Sequence, residues 1–197
     1  MGKEARVKAT FADGADEGRL LWEPPRLVFR GAARRVFEAE ALAGVRAEGP
    51  DLVLADGARF SLGDRAAAAW AQAILNPKTR AEKLGVKPGL RARVLEVEDA
   101  TLGAELAAAG AVVTDEPAGL DLIFYAADDA ETLARIDRLV PALAERGALW
   151  IVSRKGRAAT VRDVEVMAAA RACGLADTKV VGFSETHTAL RFVRRQP

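Results

Sequence analysis

The chain carries one cysteine, Cys173, and one histidine, His187, in 197 residues. A lone cysteine closes no internal disulfide, and the two together supply no ligand set for a zinc site. Aromatic residues make up only 6% and the formal net charge is +1. Rings to stack bases and a field to attract phosphates are both in short supply, so nucleic acid is not an expected partner. No apolar run approaches the ~20 residues of a membrane span. The start, Met1-Gly2-Lys3-Glu4-Ala5-Arg6, has no signal-peptide core. These absences lead to the expectation of a cytoplasmic protein without membrane association. What is present is apolar content, 50% of the residues, enough for packed cores. The charge is also unevenly spread. Eleven acids and one base lie between Glu96 and Asp137, whereas nine bases and four acids lie from Arg154 onward.

Residues 5–62 read as short strands. Ala5, Val7, Ala9 and Phe11 alternate with Arg6, Lys8 and Thr10, the period of a half-buried strand. Asp13–Gly18 reads as a turn-rich loop, and Pro24-Pro25 breaks the next run, since proline does not sit in a central strand. Strands are expected over Gly18–Glu23, Arg26–Arg30, Arg35–Glu40, Leu42–Glu48, Asp51–Ala55 and Ala58–Leu62, with Asp56-Gly57 as a hairpin turn. Asp64–Leu75 is helical, and its spacing buries Ala67, Trp70, Ala71 and Ile74 on one face. About seven strands closed by a tryptophan-bearing helix are similar to a pleckstrin-homology-like barrel, spanning residues 1–76. Some members of that superfamily bind phosphoinositides through bases near the first hairpin. Here that loop holds Asp13, Asp16 and Glu17, which repel phosphate, so the expected role is interaction or dimerisation.

Asn76–Arg80 reads as a linker, and residues 81–197 alternate strands with helices. Arg91–Val97, Ala111–Thr114 and Leu120–Ala126 are expected strands. Thr101–Ala109, Asp129–Glu145 and Val161–Cys173 are expected helices. Between the last two, Ala148–Val152 is an unbroken apolar run, the signature of a central parallel strand covered on both faces. Lys179–Phe183 and Ala189–Val193 close the chain as a hairpin. This order gives a Rossmann-like α/β domain, and the terminal hairpin resembles the ending of class I methyltransferases.

A closer match lies in Lys83-Leu84-Gly85-Val86-Lys87-Pro88-Gly89, in Leu149-Trp150-Ile151-Val152-Ser153-Arg154-Lys155, and in Gly174–Val180 with Ser184-Glu185-Thr186 and Leu190–Arg195. Over residues 81–195 these stretches resemble the bacterial domain-of-unknown-function family 3052. That family's pattern has Trp-Pro-Lys after the central strand and a tryptophan in the last hairpin. This chain has Ser153-Arg154-Lys155 and His187 there, so only Lys155 carries over. The resemblance implies the fold and assigns no activity.

A methyltransferase needs a glycine turn after the first strand, so that backbone can approach S-adenosylmethionine. Here the turn reads Glu96-Val97-Glu98-Asp99-Ala100-Thr101-Leu102-Gly103, with Gly103 already inside a helix. The ribose-binding acid after the second strand could be Asp115 or Glu116. Glu96, Glu98, Asp99 and Asp115 therefore form a candidate cation or cofactor rim; the alternative is that such carboxylates cap helices. Ser153, Arg154 and Lys155, on a loop leading to a helix, form a candidate anion site, or a basic loop that balances the acids. His187 lacks an evident catalytic partner, and Cys173 reads as a core thiol. The expectation is a non-catalytic binding or scaffolding module with a degenerate cofactor loop. No cofactor or metal is expected, and a protein partner or self-association is. The alternatives are an S-adenosylmethionine-dependent methyltransferase with an atypical loop and an anion- or nucleotide-sensing module.

Overall fold

The computed structural model describes residues 2–195, in two compact units that divide between Lys78 and Thr79. In the first unit, β1 (Lys3–Phe11), β2 (Gly14–Glu23), β3 (Arg26–Arg30) and β4 (Arg34–Phe37) form a meander. It is followed by α1 (Ala39–Ala43), β5 (Arg46–Glu48), β6 (Asp51–Val53), β7 (Arg59–Ser61) and α2 (Asp64–Leu75). Every ladder is antiparallel, and the order is β4-β3-β2-β1-β7-β6-β5. The alternation of β1 buries Val7 and Ala9. Phe29 and Phe60 are fully buried, with Phe11 edge-on to both at 5.3 and 5.8 Å. Trp70 on α2 joins this core.

Three expectations for this unit are corrected. Among the described residues β4 and β5 are the unpaired ends of one ladder, so the sheet is open rather than a closed barrel. The segment expected as a strand from Leu42 begins as helix α1, because Ala39-Glu40-Ala41-Leu42-Ala43 are strong helix formers. Of the loop expected over Asp13–Gly18, only Asp13 is turn, and the chain is strand from Gly14. Phe11 pairs with Gly14 across a two-residue turn, and Gly14 takes a φ of 141° that glycine accommodates.

The second unit comprises α3 (Arg80–Lys83), β8 (Arg91–Leu95), α4 (Leu102–Ala108), β9 (Val112–Val113), β10 (Leu120–Ala126), α5 (Ala130–Ala134) and α6 (Ile136–Leu139). After a 3-10 turn come β11 (Leu143–Arg154), α7 (Asp163–Ala172), β12 (Leu175–Gly182) and β13 (His187–Arg194). The sheet order is β12-β13-β11-β10-β8-β9. The pairs among β9, β8, β10 and β11 are parallel, while β13 is antiparallel to β11 and β12. This is a Rossmann-like domain with methyltransferase-like topology. Its central strand buries alternate side chains in two cores. Trp150 and Val152 face Phe124, Leu102 and Leu106, whereas Leu149 and Ile151 face Ile123, Ile136 and Val166.

The helix expected over Asp129–Glu145 is broken. Pro141 lies in the 3-10 turn Val140–Ala142, where an α-helix cannot continue past it, and the chain is already strand at Leu143. Leu133, Ile136 and Leu143 are buried all the same, so the apolar face persists although the helix does not.

Candidate functional site

Strand order reverses between β8, which leads outward to β9, and β10, which leads the other way to β11. Ligands of open α/β sheets sit in the crevice at the carboxyl ends of strands at such a point. A cavity of about 400 Å³ lies there. Glu96, Val97, Glu98 and Asp99 after β8 form one side, and Ala126, Asp128 and Asp129 after β10 form the next. Thr132, Val152, Arg154, Phe183, Ser184, Thr186 and His187 complete it. Five carboxylates line it; Asp99, Glu96 and Asp128 are paired with Arg80, Arg135 and Arg154, and among the described residues Glu98 and Asp129 make no ion pair, which leaves an excess of negative charge.

The loop after β8 is fixed from a position read in the sequence as linker. Thr79 and Glu82 form a reciprocal capping box that starts α3, and the next residue, Arg80, projects its guanidinium onto the loop. Arg80 binds both carboxylate oxygens of Asp99, both of Glu105 (each at 2.8 Å) and Thr101 Oγ1 (2.9 Å). It also lies 4.8 Å from the Phe183 ring. The Arg80 hydrogen bonds, followed by those from Thr101, hold the Asp99 carboxyl well below its ordinary range, and Asp99 in turn raises Arg80. Asp99 also accepts the backbone N–H groups of Thr101 and Leu102 at 3.0 Å, closing the start of α4. Its carboxylate is therefore fully engaged. The pattern Thr79-x-x-Glu82 was the available signal that helix, and with it a fixed Arg80, begins here.

The other carboxylates differ. Glu96 sits in the left-handed region with φ 60°, a conformation that costs a non-glycine residue about 1 kcal/mol or more. Its carboxylate pairs with Arg135 at 3.4 Å. Asp128 accepts the Arg154 N–H at 2.8 Å and pairs with its side chain at 3.4 Å. Asp129 caps α5, and the Thr132 backbone N–H lowers its pKa. Among the described residues Glu98 makes no ion pair and is exposed. Asp115, expected at this rim, is exposed beyond the edge strand β9 and does not line the cavity. Its neighbour Glu116 is taken by Arg91 at 2.5 Å.

Ser153, Arg154 and Lys155 do not converge. Ser153 is fully buried, with its hydroxyl lacking a partner. Alternation along β11 sends it to the face opposite Arg154. Arg154 turns to Asp128, while Lys155 Nζ donates to the Ser184 carbonyl at 2.8 Å. Arg154 and Lys155 also border a depression of about 450 Å³ with Arg162, which is paired to Glu165. A 3-10 turn, Gly156–Ala158, follows this loop, and the helix expected over Val161–Cys173 is present as α7 from Asp163.

His187, expected at an exposed hairpin tip without partners, begins β13 and is half-buried. Its Nδ1 is 2.9 Å from Thr186 Oγ1 and 3.4 Å from Ser184 Oγ. Cys173 is partly buried against the α7 core, and desolvation raises its thiol pKa. Among the described residues no three of His, Cys, Asp and Glu group as metal ligands, and no helix is long and apolar enough to cross a membrane.

Several solved structures are similar at low identity. A TehB-like SAM-dependent methyltransferase from Corynebacterium glutamicum is 12% identical with a TM-score of 0.46, covering 64% of this chain and 95% of its own. The fibrillarin pre-rRNA processing protein of Methanococcus jannaschii is 11% identical with a TM-score of 0.45, covering 86% and 94%. A SAM-dependent O-methyltransferase from Thermotoga maritima is 10% identical with a TM-score of 0.40, covering 98% and 94%. No curated protein matches the sequence. The family model for "Protein of unknown function (DUF3052)" matches residues 86–196, which take in the sheet and the acid-lined cavity, and the chain belongs to that family.

Proposed function

We propose that the protein is a non-catalytic binding module whose α/β unit takes a small organic cation in the acid-lined cavity. The observation that carries this reading is the excess of carboxylates at the strand switch point, where among the described residues Glu98 and Asp129 make no ion pair while Asp99, Glu96 and Asp128 are paired with Arg80, Arg135 and Arg154. The residues do not fit the usual cradle for S-adenosylmethionine. The loop after β8 presents Glu96, Val97, Glu98 and Asp99 where glycines would admit the cofactor, Asp99 is held by Arg80, and neither Asp115 nor Glu116 lines the cavity. S-adenosylmethionine nonetheless serves as a probe, because its sulfonium and ammonium groups match the site's charge. Calorimetric titration into the full chain should give binding that weakens about tenfold in Glu98→Gln, the loss of one charge-assisted contact. Unchanged binding in that variant would remove the carboxylate's role.

A second reading, an S-adenosylmethionine-dependent methyltransferase with an atypical loop, draws on the same cavity and strand order. It requires methyl transfer to an acceptor, which radiolabelled cofactor would report. In the first reading the β-rich unit is the interaction surface. Its strand order and closing helix support a pleckstrin-homology-like architecture, and at the first hairpin Arg35 is paired to Asp13 at 2.7 Å. The open edge strand β4, with Val36 40% exposed, supports a protein partner or second copy there.

A further inference from the structure

A second cavity, of about 520 Å³, opens on the α/β unit toward the amino ends of the same strands. Its residues come from Leu90, just before β8, from the starts of β10 (Asp121, Leu122) and β11 (Arg146), from the turn after α3, and from β12 and β13.

The chemistry here is the reverse of that at the carboxyl ends. Four bases, Lys87, Arg146, Lys179 and Arg191, line the cavity against one acid. That acid, Asp121, accepts the backbone N–H of Arg91 at 2.8 Å. Among the described residues none of the four bases makes an ion pair, although sixteen such pairs occur elsewhere. Two of them are held in place by neutral acceptors. Lys179 Nζ donates to the Lys83 carbonyl at 2.6 Å and Arg191 Nη1 donates to Thr178 Oγ1 at 3.1 Å. Arg191 is half-buried, and desolvation alone lowers its pKa from the ordinary value. A cation that has lost water and gained no counter-charge is unfavourable unless something supplies one.

The bottom is apolar: Leu90 is half-buried, and Leu84, Leu122 and Trp150 are buried beneath it. Trp150 is fully buried, stacks on Phe124 at 6.5 Å, and its indole N–H lacks an acceptor. Most buried indole N–H groups have one. A groove with an apolar bottom and a rim of unpaired cations matches a ligand with the same two parts.

We infer that this groove binds a small organic anion, a carboxylate, sulfonate or phosphate carried on a flat apolar body. The anionic group meets Arg191 and Lys179, and the body lies against Leu90. The site is separate from the acid-lined cavity, with which it shares no residue.

Trp150 supplies the reporter. The chain has three tryptophans, and Trp22 and Trp70 lie in the other unit, so the full-length Trp22→Phe/Trp70→Phe variant emits from Trp150 alone. The probe is 8-anilino-1-naphthalenesulfonate, compared with N-phenyl-1-naphthylamine, which has the same body without the sulfonate. The sulfonate should quench Trp150 by energy transfer and bind about tenfold or more tighter than the uncharged amine, the value of one charge-assisted contact. Lys179→Glu, at an exposed position that tolerates change, should weaken the sulfonate by a similar factor and leave the amine unchanged. Arg191→Met should do the same. If it does not fold, Lys179→Glu decides. Equal affinities for the two probes, binding without quenching of Trp150, or an unchanged sulfonate affinity in Lys179→Glu would each overturn the inference.

Discussion

Arg80 shows how much one side chain can decide. Its side chain is 16% exposed, and its guanidinium satisfies two carboxylates and a hydroxyl at once. Removing it leaves Asp99, 17% exposed, without its counter-charge. Arg80→Ala should therefore destabilise the protein by about 2–3 kcal/mol in urea unfolding. Arg80→Lys should recover little of this, because an ammonium cannot reproduce the fork that meets two carboxylates. The same pair fixes a pH response. Asp99 has a folded pKa below its ordinary 3.8, so its contribution is complete above that value and is lost as pH falls through the folded pKa. The stability difference between the wild-type chain and Asp99→Asn should be flat from about pH 5 to 8 and shrink below about pH 4. A difference that instead changed near neutrality would assign the effect to another group. Arg80 was hidden in the sequence because a lone arginine after a proline-containing linker carries no period; only the capping box beside it marks the start of structure.

At the scale of elements, β11 was legible because its signal is local. Five apolar residues from Ala148 to Val152 need cover on both faces, and they have it. Its start was not legible. Leu143 reads as helical by spacing, but Pro141 ends the helix and β10 recruits the following residues through a register irregularity between Leu120 and Leu122. Gly147 occupies that irregularity. A Cβ there would lie 2.5 Å from the Leu120 carbonyl oxygen and 3.1 Å from the Ala144 backbone. Both neighbours are main chain and cannot step aside, so Gly147→Ala should cost about 2 kcal/mol or more and lower the thermal midpoint. Gly103→Ala, with open space around it inside α4, should leave stability unchanged or raise it. Near-equal effects of the two would contradict the close packing at the β10–β11 start. The helix α1 was missed for the converse reason. Its five residues are too few for a period, and only composition favours helix there.

Across the α/β unit, the uneven charge of the sequence becomes spatial. The acids between Glu96 and Asp137 supply all five carboxylates of the cavity at the carboxyl ends of the strands, while Lys179 and Arg191, from the basic tail segment, help line the groove at the amino ends. The acid rim was readable from Glu96, Glu98 and Asp99 because residues after a parallel strand must fall at its carboxyl end. Asp115 broke the pattern because β9 is a two-residue edge strand whose exit lies away from the switch point. The basic groove was not readable, since its members come from four distant segments and none of them forms a motif. The acid-lined cavity's preference for cations is tested most directly by calorimetric comparison of S-adenosylmethionine with S-adenosylhomocysteine, which lacks the sulfonium charge. A cation site predicts binding of S-adenosylmethionine and at least about tenfold weaker binding of S-adenosylhomocysteine. Equal affinities would show a site that reads the adenosyl group rather than charge, and no heat from either would contradict a cation site at these strand ends.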